Sequence, residues 1–338
     1  LLLDEPTANL DPAATREFFQ LLRRLKARHA ILLIEHKLDA CLRVADRVLI
    51  LDRDGRPIAQ GRPRAVLTAH RRRLLRAGIW LPARLEEKRR LPPRPKSEAS
   101  GPPALQAVRL TFSYPGRPPA LDRLSLSVAR GEFLALVGPN GSGKSTLARL
   151  WMGLLRAPAG ALRAFGAPLE SLSPMDLAEN VGYVFQNPEH QFVRDTVRDE
   201  LAYSLEARGW SSAQIRRRVQ ALLTRFDLAG QAERNPFTLS QGQKRRLSVA
   251  AMLAAGQRVL ILDEPTFGQD RSSAYSLMDS LADLNRRGTT VVFITHDMRF
   301  VRHYARRVAV LAGGRLIYTG TPSGLFHNGP VLDRARLR

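Results

Sequence analysis

At 338 residues, 44% of them hydrophobic, the chain can hold about two domains of the usual ~150 residues, each with its own core. Its net charge of +22, from 53 Lys plus Arg against 31 Asp plus Glu, is spread along the sequence without interleaved aromatic residues, which reads as solvated surface rather than a nucleic-acid groove. No apolar stretch approaches the ~18 residues of a membrane-spanning helix, so attachment to a membrane is expected to run through a partner, and the single cysteine, Cys41, cannot form an internal disulfide.

Position 1 already lies inside a motif, so the sequence reads as the continuation of something longer. Leu1-Leu2-Leu3-Asp4-Glu5-Pro6-Thr7 returns as Leu260-Ile261-Leu262-Asp263-Glu264-Pro265-Thr266. Ile34-Glu35-His36 returns as Ile294-Thr295-His296, Arg47-Val48 as Arg307-Val308, and Gly61 as Gly320. The offset is 259 or 260 at each landmark, which marks a duplicated domain of which the first copy is partial. Residues 63–90 show weak helical character and many charges. The stretch from Leu91 to Pro103 is proline-broken, and proline blocks both helices and sheet ladders. The chain is therefore divided into a first-copy fragment (1–80), a Pro/Arg-rich linker (81–103) and a full second copy (104–338). Twelve basic residues fall within 62–98, among them Arg71, Arg72, Arg73, Lys88, Arg89 and Arg90, and they are expected to be solvated.

Beyond the linker, apolar strands alternate with helical stretches. Strands are expected at 133–137, 181–185, 259–262 and 291–294, and helices at 146–155 and 243–255. That alternation predicts an α/β layered domain. Gly138-Pro139-Asn140-Gly141-Ser142-Gly143-Lys144-Ser145-Thr146 fits the phosphate-loop pattern and falls between a strand and a helix, where the mechanism needs it. Its glycines let backbone N–H groups wrap a phosphate chain, and the helix N-terminus adds positive potential. Lys144 is expected to reach the β- and γ-phosphates and Ser145 to ligate Mg²⁺. Asp263 ends an apolar strand and is expected to hold Mg²⁺ through water. Glu264 follows it and can take a proton from an attacking water.

Leu239-Ser240-Gln241-Gly242-Gln243 resembles the LSGGQ signature of ABC ATPases, with Gln241 in place of the first glycine. The resemblance covers residues 104–338, and 1–80 as the tail of another copy. It implies a P-loop NTPase fold of ABC type: a RecA-like α/β core, an antiparallel β subdomain and a helical subdomain. It implies ATP and Mg²⁺ as ligands. It further implies that Tyr114 stacks on adenine and that Gln186 is the Q-loop glutamine that meets Mg²⁺ and the γ-phosphate. His296 would be the switch histidine, and Ser240, Gly242 and Gln243 would face nucleotide held by an opposing domain. Asp4, Glu5, Asp11 and His36 would be the corresponding remnants in the first copy. Such domains work in pairs, so a second ABC domain is an expected partner.

The stretch from Gln186 through Glu200 resembles the region after the Q-loop in energy-coupling-factor importers and related cobalt and nickel importers. That resemblance implies an integral membrane transport subunit docked on residues 187–200, Phe192 and Val193 included. It also implies a separate substrate-capture protein and a peripheral position on the cytoplasmic face of the cell membrane. The alternative is a soluble tandem ABC ATPase acting on ribosomes or nucleic acid. Against it stand the proline-broken linker and Gln243 where that class usually has Glu, so no nucleic-acid partner is expected.

Overall fold

The structure is a computed structural model that describes residues 1–7, 10, 12–35, 41–52, 54–82 and 101–337. The chain forms two compact units, one of Leu1–Arg90 with Gly268–Ser276, the other of Leu91–Phe267 with Leu277–Leu337.

In the larger unit a six-stranded sheet carries the core. Its strands are β7 (Phe133–Val137), β10 (Val181–Val184), β11 (Val259–Asp263), β12 (Thr290–Ile294), β13 (Arg307–Ala312) and β14 (Arg315–Gly320), in the order β10-β11-β12-β7-β13-β14. All pairings are parallel except β13 with β14. Every residue of β7, β10, β11 and β12 is buried, as parallel strands covered on both faces require. A second, antiparallel sheet in the order β6-β5-β8-β9 is built from β5 (Leu105–Ser113), β6 (Pro119–Val128), β8 (Ala159–Ala164) and β9 (Ala167–Pro168). Its apolar face joins the same core as the helix that follows β7.

The helices begin where the sequence supplies caps. The helix at Pro174–Asn180 starts on a Ser173/Asp176 capping box and that at Ser212–Arg225 on a Ser211/Gln214 box. The signature helix, Gln241–Ala254, starts two residues earlier than its apolar pattern alone suggests, because Ser240 and Gln243 close a third box.

In the smaller unit, among the described residues, β1 (Leu2–Asp4) pairs only with β2 (Leu32–Ile34), and β3 (Val48–Leu51) only with β4 (Pro57–Gly61). Both pairings repeat those of the larger unit. Leu2 faces Leu32 as Ile261 faces Val292, and the irregularity between Ile50 and Leu51 recurs between Val310 and Leu311. The Glu5 amide donates to the Ile34 carbonyl at 3.0 Å, as the Glu264 amide does to Ile294 at 3.0 Å. Arg71, Arg72 and Arg73 open a short helix, Arg71–Arg76, whose Leu74 and Leu75 are buried. Trp80 and Leu81 are buried too, so ordered packing runs past the expected edge of the fragment. The Trp80 indole donates to the Gln269 carbonyl, and the Arg271 amide to the Gly78 carbonyl.

The two copies differ in what covers them. Leu2, Leu32, Ile34, Leu49 and Leu51 are exposed, Leu2 at 72%. At the repeat offset they correspond to Ile261, Val292, Ile294, Ala309 and Leu311. All five of those lie in the core cluster that contains β7 and the helix after the phosphate loop. In the larger unit the corresponding positions share a core with the phosphate-loop helix and the antiparallel strands. Each bare side chain forgoes about 1.5–3 kcal/mol of burial. The chain should therefore enhance the fluorescence of a hydrophobic dye. Replacing Leu2, Leu32 and Leu49 by Thr should reduce that signal by more than half while changing stability by no more than about 0.5 kcal/mol. An undiminished signal would place the bare surface elsewhere.

Candidate functional site

Strand β7 runs into a loop that doubles back over its own end. Gly138 has φ 147°, and a Cβ there would stand 2.1 Å from the Leu311 carbonyl oxygen. Gly143 has φ 98°, and its Cβ would stand 2.4 Å from the Ala120 carbonyl oxygen. Both positions admit only glycine. Gly143 is the N-cap of the helix Lys144–Trp151. The first-turn amides of a helix have no acceptor within it and so face the loop's concavity. Asn140 and Gly141 lie at the exposed crest of the loop, while Ser142 and Thr146 are buried beneath it. The Lys144 ammonium is buried and donates to the carbonyls of Gly138 (2.9 Å) and Pro139 (2.8 Å). Tyr114 stands at the same helix: its hydroxyl is 3.4 Å from Thr146 Oγ1, and its ring meets Phe112 edge-on at 5.0 Å.

The carboxylates come from the neighbouring strand ends. Asp263 closes β11 and is buried, with hydrogen bonds from the Tyr183 hydroxyl (3.0 Å) and the Ser145 side chain. Burial holds its carboxyl above the ordinary carboxylate range; the hydrogen bonds from Ser145 and Tyr183 oppose this, and the nearby Glu264 adds to it. Tyr183 is pushed up in turn, by burial first and by Asp263 second. Glu264 takes a left-handed backbone, φ 47°, as Glu5 does at φ 42°. It accepts from His296 Nδ1 at 2.8 Å and from Thr295 Oγ1 at 3.4 Å, both placed by the end of β12. The Asp263 carboxylate and the Ser145 hydroxyl together offer hard oxygen donors of the kind that hold Mg²⁺ jointly with phosphates.

Lys144, Ser145, Asp263, Glu264 and His296 thus gather at the ends of β7, β11 and β12, beside the point where the strand order departs from the chain order. That is where open α/β sheets bind ligands. Gln186 follows β10 with an exposed side chain. Ser240, Gly242 and Gln243 sit on the signature helix, and Gln243 spends its side-chain oxygen on the Ser240 amide. In the smaller unit Asp4 ends β1, and Glu35, at the position of Thr295, accepts from the Thr7 amide and hydroxyl. Asp11 and His36 lie outside the described residues.

Two contacting residues have no counterpart in the sequence-based site. Tyr183 stood within an apolar strand, and Arg245 stood among basic residues after the signature. The signal for Tyr183 was its place one strand from Asp263; Arg245 had none beyond lying on a helix buried almost all round. Burial pushes the Arg245 guanidinium down to about 10, while Asp263 and Glu264 favour its charge.

The family model described as ABC transporter matches residues 121–267. The solved structure of CbiO1 from Clostridium perfringens, part of the ABC transporter complex CbiONQ, superposes with a TM-score of 0.63 at 31% identity, covering 70% of this chain and 96% of that one. This chain belongs to the ABC transporter ATPases. Among its ABC relatives, a Bacillus subtilis (strain 168) protein named "Putative HMP/thiamine import ATP-binding protein YkoD" is 39% identical over 96% of the chain. A Methanosarcina acetivorans "Putative ABC transporter ATP-binding protein" is 35% identical over all of it. The chain spans 62% of the length of each.

The ABC helical region holds one further buried acid. Glu200 accepts from the amides of Val193 and Arg194, both at 2.9 Å. Burial raises its carboxyl above the ordinary range against those two bonds. Its folded-state value exceeds the unfolded one, so native stability falls as pH rises from the unfolded value through the folded value, and the deficit is complete only above the folded value. Glu200→Gln keeps one acceptor oxygen and removes the charge. It should raise the unfolding midpoint by a few degrees at pH 7.5, with the gain shrinking toward pH 4. A gain that grew on acidification would contradict the sign.

Proposed function

We propose that residues 104–338 bind and hydrolyse MgATP and that the cycle energises an importer of the energy-coupling-factor type, for a vitamin or a transition-metal ion. The observation that carries the reading is the contact of Glu264 with His296 beside the buried Asp263 and its Ser145 partner. In this reading the loop amides and Lys144 hold the β- and γ-phosphates, and Tyr114 offers its ring to adenine. Mg²⁺ neutralises charge on the phosphates when bound, and Ser145, Gln186 and Asp263 would hold it. Glu264 accepts a proton from the water whose oxygen bonds to the γ-phosphorus as the bond to the bridging oxygen breaks. His296 orients Glu264 and faces the γ-phosphate. The amides and helix end at Ser240, Gly242 and Gln243 serve nucleotide on an opposing domain.

Of the two apolar residues assigned to the docking face, one is turned inward. Phe192 is buried and meets Phe237 edge-on at 5.9 Å, whereas Val193 is 62% exposed and Phe237 and Tyr203 are exposed too. Phe192 supports the face from within, and the exposed three present apolar surface to a membrane subunit. The chain would sit peripherally on the cytoplasmic face of the cell membrane, with a substrate-capture protein in the same complex. No helix among the described residues is long and apolar enough to cross a membrane. The reading of a ribosome- or nucleic-acid-directed ATPase draws nothing from the named relatives, which are described as transport proteins.

The division into a partial first copy, a linker and a full second copy belongs to the same proposal. A complete sandwich of nucleotide needs the phosphate loop of one copy and the signature of the other, so the 338 residues alone should turn ATP over slowly. In a complex with both copies whole, Glu264→Gln should lower turnover at least a hundredfold while retaining bound MgATP, and Lys144→Ala should weaken binding itself. Turnover that survives Glu264→Gln would remove Glu264 from the reaction. Val193→Glu should leave nucleotide affinity within about twofold and abolish uptake. Normal uptake would move the docking face elsewhere.

A further inference from the structure

The signature helix is fastened to the segment that carries Gln186. Lys244 and Arg245 in its first turns are both buried, an uncommon place for basic side chains. Arg245 is 2% exposed, and its two terminal nitrogens donate to the carbonyls of Phe185 and Gln186. Lys244 Nζ lies 2.5 Å from Glu189 Oε1. One turn on, Ser248 Oγ donates to Gln191 Oε1 at 2.8 Å, and Gln191 Nε2 returns a bond to the Ser248 carbonyl at 3.0 Å. Three successive fastenings therefore tie 185–191 to a single helix. Separating the two pieces would leave a buried cation without acceptors, which is costly, so they are constrained to move together. Two adjacent carbonyls also suit the flat fork of a guanidinium and not the single point of an ammonium.

We propose that Arg245 is a positioning residue that locks the Q-loop backbone to the signature helix, so that the Gln186 carboxamide and the Ser240 cap are aimed as one body. A displacement at the exposed Val193 face is then delivered to both together. This rests on the reading above, in which Gln186 meets Mg²⁺ and residues 187–200 meet a membrane subunit.

The test is equilibrium binding of a fluorescent ATP analogue to the 338-residue chain, first in EDTA and then along a Mg²⁺ titration, with amide hydrogen exchange read on 185–191 and 240–248. Arg245→Lys is expected to leave Mg²⁺-free affinity within about twofold. It should raise the Mg²⁺ concentration for half response roughly tenfold, the order expected for one lost charge-assisted hydrogen bond. Gln186→Ala should do likewise, and the double variant should be no worse than the poorer single, because Arg245 acts through Gln186. In the wild type the two segments should gain protection at one common midpoint, and in Arg245→Lys at two. Multiplying effects in the double variant, or a common midpoint retained in Arg245→Lys, would overturn the proposal while leaving Gln186 in place. A Gln186→Ala variant with an unchanged Mg²⁺ response would overturn the underlying reading and the proposal with it. If Arg245→Lys does not fold, Gln191→Ala combined with Ser248→Ala removes the outer fastening alone. That pair leaves Arg245 in place and should keep one common midpoint; split midpoints there would show that the outer fastening, and not Arg245, holds the segments together and would overturn the proposal.

Discussion

Strand β7 enters the sheet between β12 and β13 with all five of its residues buried, and the rest of the larger unit depends on that insertion. Because β7 is earliest in the chain among these strands and central in the sheet, its carboxyl end opens next to the ends of β11 and β12 rather than beside its sequence neighbours. The phosphate loop is thereby set against Asp263, Glu264 and His296. The insertion also brings the helix Lys144–Trp151 onto one face of the sheet, where it shares a core with the antiparallel strands β5, β6 and β8. The smaller unit repeats two strand pairs and a hydrogen bond of the larger one, and the same face of those pairs is bare. The comparison isolates what β7 contributes: it joins two hairpin-sized pieces into one sheet.

Much of this was legible from residue order. The run 133–137 is apolar throughout and bounded by Gly131 and Gly138, so a buried strand follows from it. The repeat offset located the second set of strand ends, and the phosphate-loop pattern told which end would carry chemistry. The helix starts were misjudged by two residues at both the phosphate loop and the signature, for one reason. Apolar periodicity reports packing, whereas the first turn is set by capping, from a left-handed Gly143 in one case and Ser240 with Gln243 in the other. The roles beyond this geometry still rest on the resemblance to known ATPases.

Contacts that depend on which way a side chain turns were not legible. Phe192 and Val193 are adjacent and both apolar, and nothing in their order says that one faces Phe237 and the other solvent. Arg245 lies between two other basic residues, and charge runs are ordinarily solvated. Only the fold reveals that the chain directly after β10 passes beside that helix. Lys144 illustrates the opposite case. Its part in the loop follows from pattern alone, since a cation six residues beyond Gly138 reaches back over the carbonyls that the glycine turn exposes.

The left-handed backbone at Glu264 has a stereochemical consequence. Neighbouring residues of a strand point to opposite faces, so two acids in a row on β11 would ordinarily be separated by the thickness of the sheet. The reversal of φ at the second acid cancels that alternation and turns both carboxylates toward one side, Asp263 to Ser145 and Tyr183, Glu264 to His296. An L-residue in this conformation carries a standing strain of about 1–2 kcal/mol that glycine would escape. The same twist recurs at Glu5, so both copies bear this strain at the matching position, and a dipeptide that looks like simple repetition of charge is, in three dimensions, a corner.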